Sequence, residues 1–219
     1  MGYRIRFNPL KSQLLTIGGD NPPGCQLLLD NKPVQWCVRV KYLGIYLLAG
    51  KTVKIDLTVT KGKYYGCYNS ITSVCGKQRN ETVTLHLVKT YCLPRLLYAC
   101  EVLSFSNVQT HELDVIWNNA FRRIFNCFWR ESVKPLPLQY FCSSLPLSWL
   151  MDERRLVFYR KTMVHSNIVI KTLMSVSGVY FDYIGLCHKY QIPNPYCSVS
   201  YIKHERFIRQ SETADNTAQ

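Results

Sequence analysis

The chain lacks the patterns that would place it outside the cell or in a membrane. Its ten cysteines include no CxxC pair, which favours buried free thiols over disulfides or metal ligands. The first residues, MGYRIRFN, contain no signal-peptide hydrophobic segment, so we expect an intracellular protein of the nucleus or cytoplasm. No uncharged apolar run approaches the roughly 18 residues that a membrane helix needs. We therefore expect no membrane partner.

Short motifs of common catalytic and metal sites are also missing. The sequence contains no GxSxG, P-loop or Rossmann fingerprint. Cys187, His188, Cys197 and His204 invite comparison with a zinc knuckle. They lack the close cysteine pair that is usual in structural zinc sites. We therefore expect no metal and no cofactor in this chain.

Acidic residues are scarce, and the basic excess is uneven. The chain has 27 lysines and arginines against 14 acidic residues, a formal net charge of +13. Residues 1–79 alone hold 12 basic and 3 acidic side chains. This concentration is expected where a protein lies along a phosphate backbone. The alternative is a solubilising charge on an ordinary protein.

The first fifty residues have the pattern of strands and turns. Apolar residues alternate with polar ones at Tyr3, Ile5 and Phe7, which is typical of a half-buried strand. GGDNPPG, residues 18–24, is a dense turn signal. A second alternation predicts a β-hairpin or small meander; it comprises Val34, Trp36, Val38 and Val40.

After Gly50 the apolar period becomes helical. A first helix is predicted to end at Gly76, with an apolar face of Leu57, Tyr64, Tyr68, Ile71 and Val74. A second begins near Asn80 and is interrupted at Pro94; its predicted face is Val83, Leu87, Val88 and Tyr91. A third covers residues 107–128, with a face of Leu113, Ile116, Trp117, Ala120, Phe121 and Ile124. We also predict a helix that opens at Asp152 or Glu153, and we leave residues 178–219 unassigned. The predicted fold class is α+β.

Four local segments resemble the reverse transcriptases of non-long-terminal-repeat (LINE-like) retrotransposons. FNPLKS, residues 7–12, resembles motif D, and VKYLGI, residues 40–45, resembles the motif E hairpin known as the primer grip. Residues 87–101, LVKTYCLPRLLYACE, resemble the thumb helix, and residues 118–125, NNAFRRIF, resemble the helix that follows it. The four occur in the family's order.

The resemblance implies a domain organisation. Residues 1–50 would be the end of the palm with a primer-grip-like hairpin, and residues 51–129 a thumb-like helical bundle. Residues 130–177 would be a helical extension, followed by the unassigned tail.

The resemblance further implies a fragment of an RNA-directed DNA polymerase that contributes primer-template binding. The family's metal-binding carboxylates come from an earlier palm strand and from a YxDD-type hairpin just before motif D. Neither is present here, and Asp20, Asp30 and Asp56 are isolated. The implied Mg²⁺ therefore belongs to the complete parent enzyme, with an upstream palm and fingers as partner. Alone, the chain is expected not to be an enzyme.

Motif D supplies two candidate residues. The resemblance places Lys11 near the incoming triphosphate as a possible general acid, a role that exists only in a complete polymerase. The alternative is a solvated lysine. Asn8 would support the nucleotide pocket or, alternatively, bond the backbone of its own turn.

The remaining candidates are expected to contact RNA or an RNA–DNA duplex. The primer-grip candidates are Trp36, Tyr42, Leu43 and Gly44, because a glycine at a hairpin tip permits close approach to a nucleic-acid backbone; a core hairpin with Tyr42 and Leu43 packed inward is the alternative. Around the first helix, cations would meet phosphates or merely form a solvated helix face. On the third helix, they would touch the template backbone or merely cap the bundle. These are Lys54, Lys61, Lys63, Arg122 and Arg123. The rings of Tyr64, Tyr65 and Tyr68, beside the first three, would line the same edge and meet sugars or bases, or alternatively belong to the core.

Two other hypotheses stay open. In the first, the chain is a domesticated, non-catalytic nucleic-acid-binding module. In the second, it is a relic reading frame with no selected function. A relic is expected to be poorly soluble, because its palm strands would have lost their sheet neighbours.

Overall fold

The computed structural model describes residues 7–19, 25–76, 80–133, 145–176 and 178–192. Contacts within the chain divide it into two compact units, residues 1–62 and 63–219. Short strands dominate the first unit and helices the second, so the predicted α+β class is confirmed. The bounds of the four predicted segments stay predictions.

The first unit is built from a one-turn 3₁₀ helix and short strands. The helix is Pro9–Lys11, and the strands are β1 (Gln13–Leu14), β2 (Leu28–Leu29), β3 (Lys32–Pro33), β4 (Gln35–Trp36), β5 (Arg39–Tyr42), β6 (Ile45–Leu48) and β7 (Lys54–Ile55). Strand β1 pairs in parallel with β4, and β2 pairs antiparallel with β3. Strands β5, β6 and β7 form an antiparallel sheet in that order.

Two tight turns shape this unit. Asp30 and Asn31 join β2 to β3, and Leu43 and Gly44 join β5 to β6; all four have positive φ. Two-residue hairpin loops of this type match the twist of the flanking strands. The expected hairpins are therefore present. The predicted strand at Tyr3, Ile5 and Phe7 lies outside the described residues except for Phe7, which is exposed and belongs to no strand.

The helices, which follow in sequence, are α1 (Thr58–Cys75), α2 (Glu81–Tyr91), α3 (Leu93–Leu96), α4 (Asn107–Ile124), α5 (Leu147–Met163), α6 (Ile168–Val176) and α7 (Val179–Lys189). Helix α1 continues across the boundary between the two units. Helix α2 lies beside α4, and α6 lies beside α7. Helix α5 contacts α4, α6 and α7. No helix in the described part of the chain is long and apolar enough to cross a membrane.

Local capping explains where several helices begin and end. The Asn80 side chain accepts a hydrogen bond from the backbone N–H of Val83 at 3.1 Å, which fixes the start of α2 as predicted. Ser106 and Gln109 form a reciprocal capping box at the start of α4. Gly76, with φ of +68°, follows the last residue of α1. Helix α4 ends at Ile124, earlier than the predicted residue 128.

The predicted face of α4 is confirmed, because all six of its residues are buried. The predicted face of α2 is partly wrong. Val83 and Tyr91 are exposed, whereas Thr84, Leu85 and Val88 are buried. Thr84 tolerates burial because its hydroxyl donates to the Asn80 carbonyl at 2.9 Å.

Two further expectations need correction. Val74, predicted on the buried face of α1, is exposed. Helix α5 begins at Leu147, several residues before the predicted start at Asp152 or Glu153. The segment after Gly178, left unassigned, contains helix α7. Its Tyr183 and Cys187, together with Tyr190 just after it, pack with α5 in a separate buried cluster.

Candidate nucleic-acid interface

The β5–β6 hairpin presents its tip to solvent. Tyr42 and Leu43 are 60% and 74% exposed, so neither packs inward as the core-hairpin alternative required. Leu43 has φ of +45° and Gly44 has φ of +86°. For glycine this conformation carries no steric penalty, but for leucine it costs roughly 1–2 kcal/mol. The tip therefore holds an apolar side chain in water on a strained backbone.

One face of the β5–β6–β7 sheet is cationic. Directly paired residues point to the same face, and residues two apart along a strand share a face. Arg39 pairs with Leu48, Lys41 with Tyr46, and Leu48 with Lys54. All five side chains therefore lie on one face, which we call the basic face. Arg39, Lys41 and Lys54 are exposed there.

Arg39 is held in place within the basic face. Its guanidinium forms a 2.7 Å ion pair with Asp56 and lies 4.0 Å from the centre of the Tyr46 ring. Hydrogen bonds from Thr58 lower the pKa of Asp56, with a smaller contribution from the Arg39 charge. The carboxylate thus stays ionised and keeps Arg39 over the ring.

Of the residues on the basic face, the sequence pattern predicts only Lys54 as a nucleic-acid contact. Arg39, Lys41 and Tyr46 are not among the predicted contacts. The two-residue turn Leu43–Gly44 is the sequence feature that could identify Arg39, Lys41 and Tyr46, because it fixes the register of β5 and β6. Lys54 pairs with Leu48. Leu48 is three residues from Ile45, which is the residue of β6 next to the hairpin tip. At about 3.3 Å per residue, Lys54 lies at the end of the sheet away from the tip.

The motif D segment forms a capped turn. The Asn8 side chain accepts a hydrogen bond from the Leu10 backbone N–H at 3.0 Å, and the Asn8 carbonyl accepts from the N–H groups of Lys11 and Ser12. Asn8 therefore bonds its own turn. Lys11 is exposed at the end of the 3₁₀ helix, and its role near a triphosphate stays a prediction.

Trp36 has a structural partner in the first unit. Its indole N–H donates to the Cys25 carbonyl at 3.0 Å, and the side chain is half-buried in β4. Pairing of β1 with β4 brings the segment after Lys11 beside Trp36. The indole fixes strand β4, whereas the exposed residues of the primer-grip candidate are Tyr42, Leu43 and Gly44.

The cations and tyrosines of α1 have different surroundings. Lys63 is exposed and Lys61 is half-buried; the two are two residues apart and so point in different directions. Tyr64 and Tyr68 are buried and stacked on each other, with ring centroids 6.3 Å apart. Burial raises the pKa of Tyr64. Both rings belong to the core, so the expectation that they line a nucleic-acid edge is wrong for these two positions.

Arg122 and Arg123 lie in the last turn of α4. The Arg122 guanidinium donates to the Glu131 carbonyl through two nitrogens, each at 3.3 Å, and to the Asn119 side chain at 3.0 Å. It therefore braces the loop that follows the helix. Arg123 is exposed, with its guanidinium 6.0 Å from the centre of the Tyr68 ring.

The zinc-knuckle comparison can be followed at only two of its residues. Cys187 is buried in α7, where burial raises the pKa of its thiol, and His188 is its neighbour. Cys197 and His204 lie outside the described residues. Within the ranges that are described, no group of three or more His, Cys, Asp or Glu side chains is placed to hold a metal ion.

No family model matches the chain, and neither a curated protein nor a solved structure matches it. What the site binds is therefore inferred from its own residues and their geometry.

Proposed function

We propose that the first unit binds the backbone of a primer-template duplex, as part of a retrotransposon-type RNA-directed DNA polymerase. The basic face carries this proposal, since it sets Lys41 and Lys54 on one exposed surface beside Tyr46 and an anchored Arg39. Lysine ammonium groups on such a surface neutralise phosphates without regard to sequence. The exposed tip at Leu43 and Gly44 supports it, because its backbone can approach a nucleic-acid strand closely.

The chemistry of the proposed parent enzyme lies elsewhere. Mg²⁺ would be held by carboxylates of an upstream palm, and none of the residues described above is assigned to it. Within that enzyme, Lys11 is the residue proposed to lie near the triphosphate. This chain's own contribution is to hold the duplex in position while the upstream residues transfer the nucleotide.

A salt titration of the purified chain tests duplex binding. The probe is a fluorescein-labelled RNA–DNA hybrid, and its anisotropy is followed between about 50 and 200 mM salt. Lys41→Gln and Lys54→Gln are each expected to weaken binding and to reduce the slope of log affinity against log salt by about 1. Lys171→Gln, an exposed lysine on α6, is the matched control and should leave the slope unchanged.

Two results would contradict the proposal. One is the absence of binding at the lowest salt concentration. The other is identical salt slopes for the Lys41, Lys54 and Lys171 variants, since binding would then owe nothing to the basic face.

A non-catalytic nucleic-acid-binding module would use the same surface, so duplex binding alone does not separate it from a polymerase segment. The full-length transcript does. An in-frame upstream segment that encodes a paired-aspartate hairpin supports the polymerase, whereas a transcript without one leaves a binding module or a relic.

A further inference from the structure

The turn after α4 displays two aromatic side chains. Phe128 and Trp129 are 75% and 76% exposed. Leaving such large apolar groups in water costs free energy roughly in proportion to their area. Adjacent exposed aromatics of this kind are characteristic of binding surfaces.

The turn that carries them is braced from within. The Phe128 N–H donates to the Glu131 carboxylate at 3.1 Å, and the Glu131 N–H donates to the Phe128 carbonyl at 3.1 Å. The two Arg122 bonds to the Glu131 carbonyl hold this turn against the end of α4. Val133, just beyond, is buried. The two rings are thus presented by an ordered turn with little entropy to lose on binding.

The charge around the rings favours a polyanion. The Arg130 guanidinium lies 4.8 Å from the centre of the Trp129 ring. Residues 122–130, RRIFNCFWR, contain three arginines and no acidic residue. The Glu131 carboxylate is engaged with the Phe128 N–H. Stacking aromatics next to cations match a nucleic-acid strand, whose bases stack while its phosphates are neutralised.

A cavity of about 350 Å³ adjoins the turn. Its lining includes Asn118, Arg122, Arg130 and Ser132, which offer hydrogen-bond donors and acceptors. Asp114 also lines it and accepts the Ser148 N–H at 3.1 Å. The volume lies within the range of about 300–1,000 Å³ that is usual for small-ligand sites. The cavity, which Arg130 and Glu131 of the turn help to line, therefore has room for a base or sugar.

We infer that the turn of Phe128, Trp129 and Arg130 is a binding site for single-stranded nucleic acid, in which unpaired bases stack on the two rings. This site goes beyond the proposed duplex contact and does not depend on it. A duplex keeps its bases stacked inside, so the rings act only on an unpaired strand.

The test compares two labelled single strands, an oligothymidylate of about 16 nucleotides and an abasic strand of the same length. Trp129→Ala and Phe128→Ala are each expected to weaken oligothymidylate binding about tenfold and to leave abasic-strand binding unchanged. Trp129→Phe should retain most of the affinity. Phe181→Ala, an exposed aromatic on α7, is the matched control. Circular dichroism checks that each variant is folded.

Three outcomes would overturn the inference. The first is oligothymidylate binding by Trp129→Ala equal to that of the parent chain. The second is an equal loss on the abasic strand, because the rings would then not be reading bases. The third is a change of oligomeric state on loss of Trp129, which would make the turn a protein interface. Hybrid binding, measured in parallel, reports on the proposed duplex contact of the first unit and keeps the two proposals separable.

Discussion

Replacing Leu43 with glycine should stabilise the hairpin while weakening its proposed function. The leucine occupies a left-handed conformation at φ of +45°, which costs about 1–2 kcal/mol for an L-residue, whereas glycine adds about 0.5–1 kcal/mol of unfolded-state entropy. Because the side chain is mostly exposed, little packing is lost. The net expectation is a gain of about 0.5–1 kcal/mol.

Amide hydrogen exchange across β5 and β6 measures this gain. Exchange in Leu43→Gly should slow about two- to five-fold, the factor that corresponds to the expected free energy. Leu28→Gly is the matched control, since Leu28 is an exposed leucine inside a strand. A glycine there should speed exchange in β2 and β3 instead.

The same variant tests the function. Leu43 is a primer-grip candidate, and Leu43→Gly removes its exposed side chain. We expect that side chain to contact the duplex as well as the tip backbone, so affinity for the RNA–DNA hybrid should fall about tenfold, whereas Leu28→Gly should bind like the parent. Faster exchange in Leu43→Gly would refute the strain argument. Unchanged hybrid affinity would refute the contact role of the tip.

Four further substitutions test the fold. The Asp152 carboxylate accepts from the Tyr190 hydroxyl at 2.6 Å and from the half-exposed Lys189 ammonium at 2.7 Å. In thermal unfolding, Tyr190→Phe should lower the free energy of unfolding by about 1.5–3 kcal/mol. Lys189→Met should lower it by less than about 1 kcal/mol. Phe121→Ala in the fully buried core should cost about 3–5 kcal/mol in urea unfolding. The pKa of Asp56 is lowered in the folded state. The stabilisation that results is fully present above the unfolded pKa of about 3.9 and is lost as the pH falls through the folded pKa. Asp56→Asn should therefore flatten the acid dependence of amide exchange in β7.

Helix α4 was predictable because its information is local. The 3.6-residue period of its apolar side chains selects the buried face, and Ser106 with Gln109 marks its start. The face of α2 was less predictable because Thr84 meets its hydrogen-bonding needs within the helix. A polar residue that is satisfied locally can be buried, and the apolar pattern carries no sign of this.

Helix α7 illustrates what sequence patterns leave out. Its C-terminal end is held by Asp152, which is 37 positions before Lys189 and 38 before Tyr190 in the chain. A contact at that separation leaves no periodic trace, so the tyrosine-rich segment had no evident assignment. The basic face was missed for a related reason, because Arg39, Lys41 and Lys54 converge only once the strand register is known.

Geometry also separates cations that the sequence treats alike. Arg39 is committed to Asp56, Arg122 to a loop carbonyl, and Arg155 to the carbonyls of Cys100 and Leu103 at 3.0 and 2.6 Å. A planar guanidinium with five donors suits such fixed bracing, whereas a lysine ammonium acts as a hydrated point charge. Lys41 and Lys54 are exposed on the basic face. The charge proposed to bind the duplex is therefore expected to reside in the lysines of the first unit. Glutamine substitutions there should lower the salt dependence of binding without unfolding the sheet.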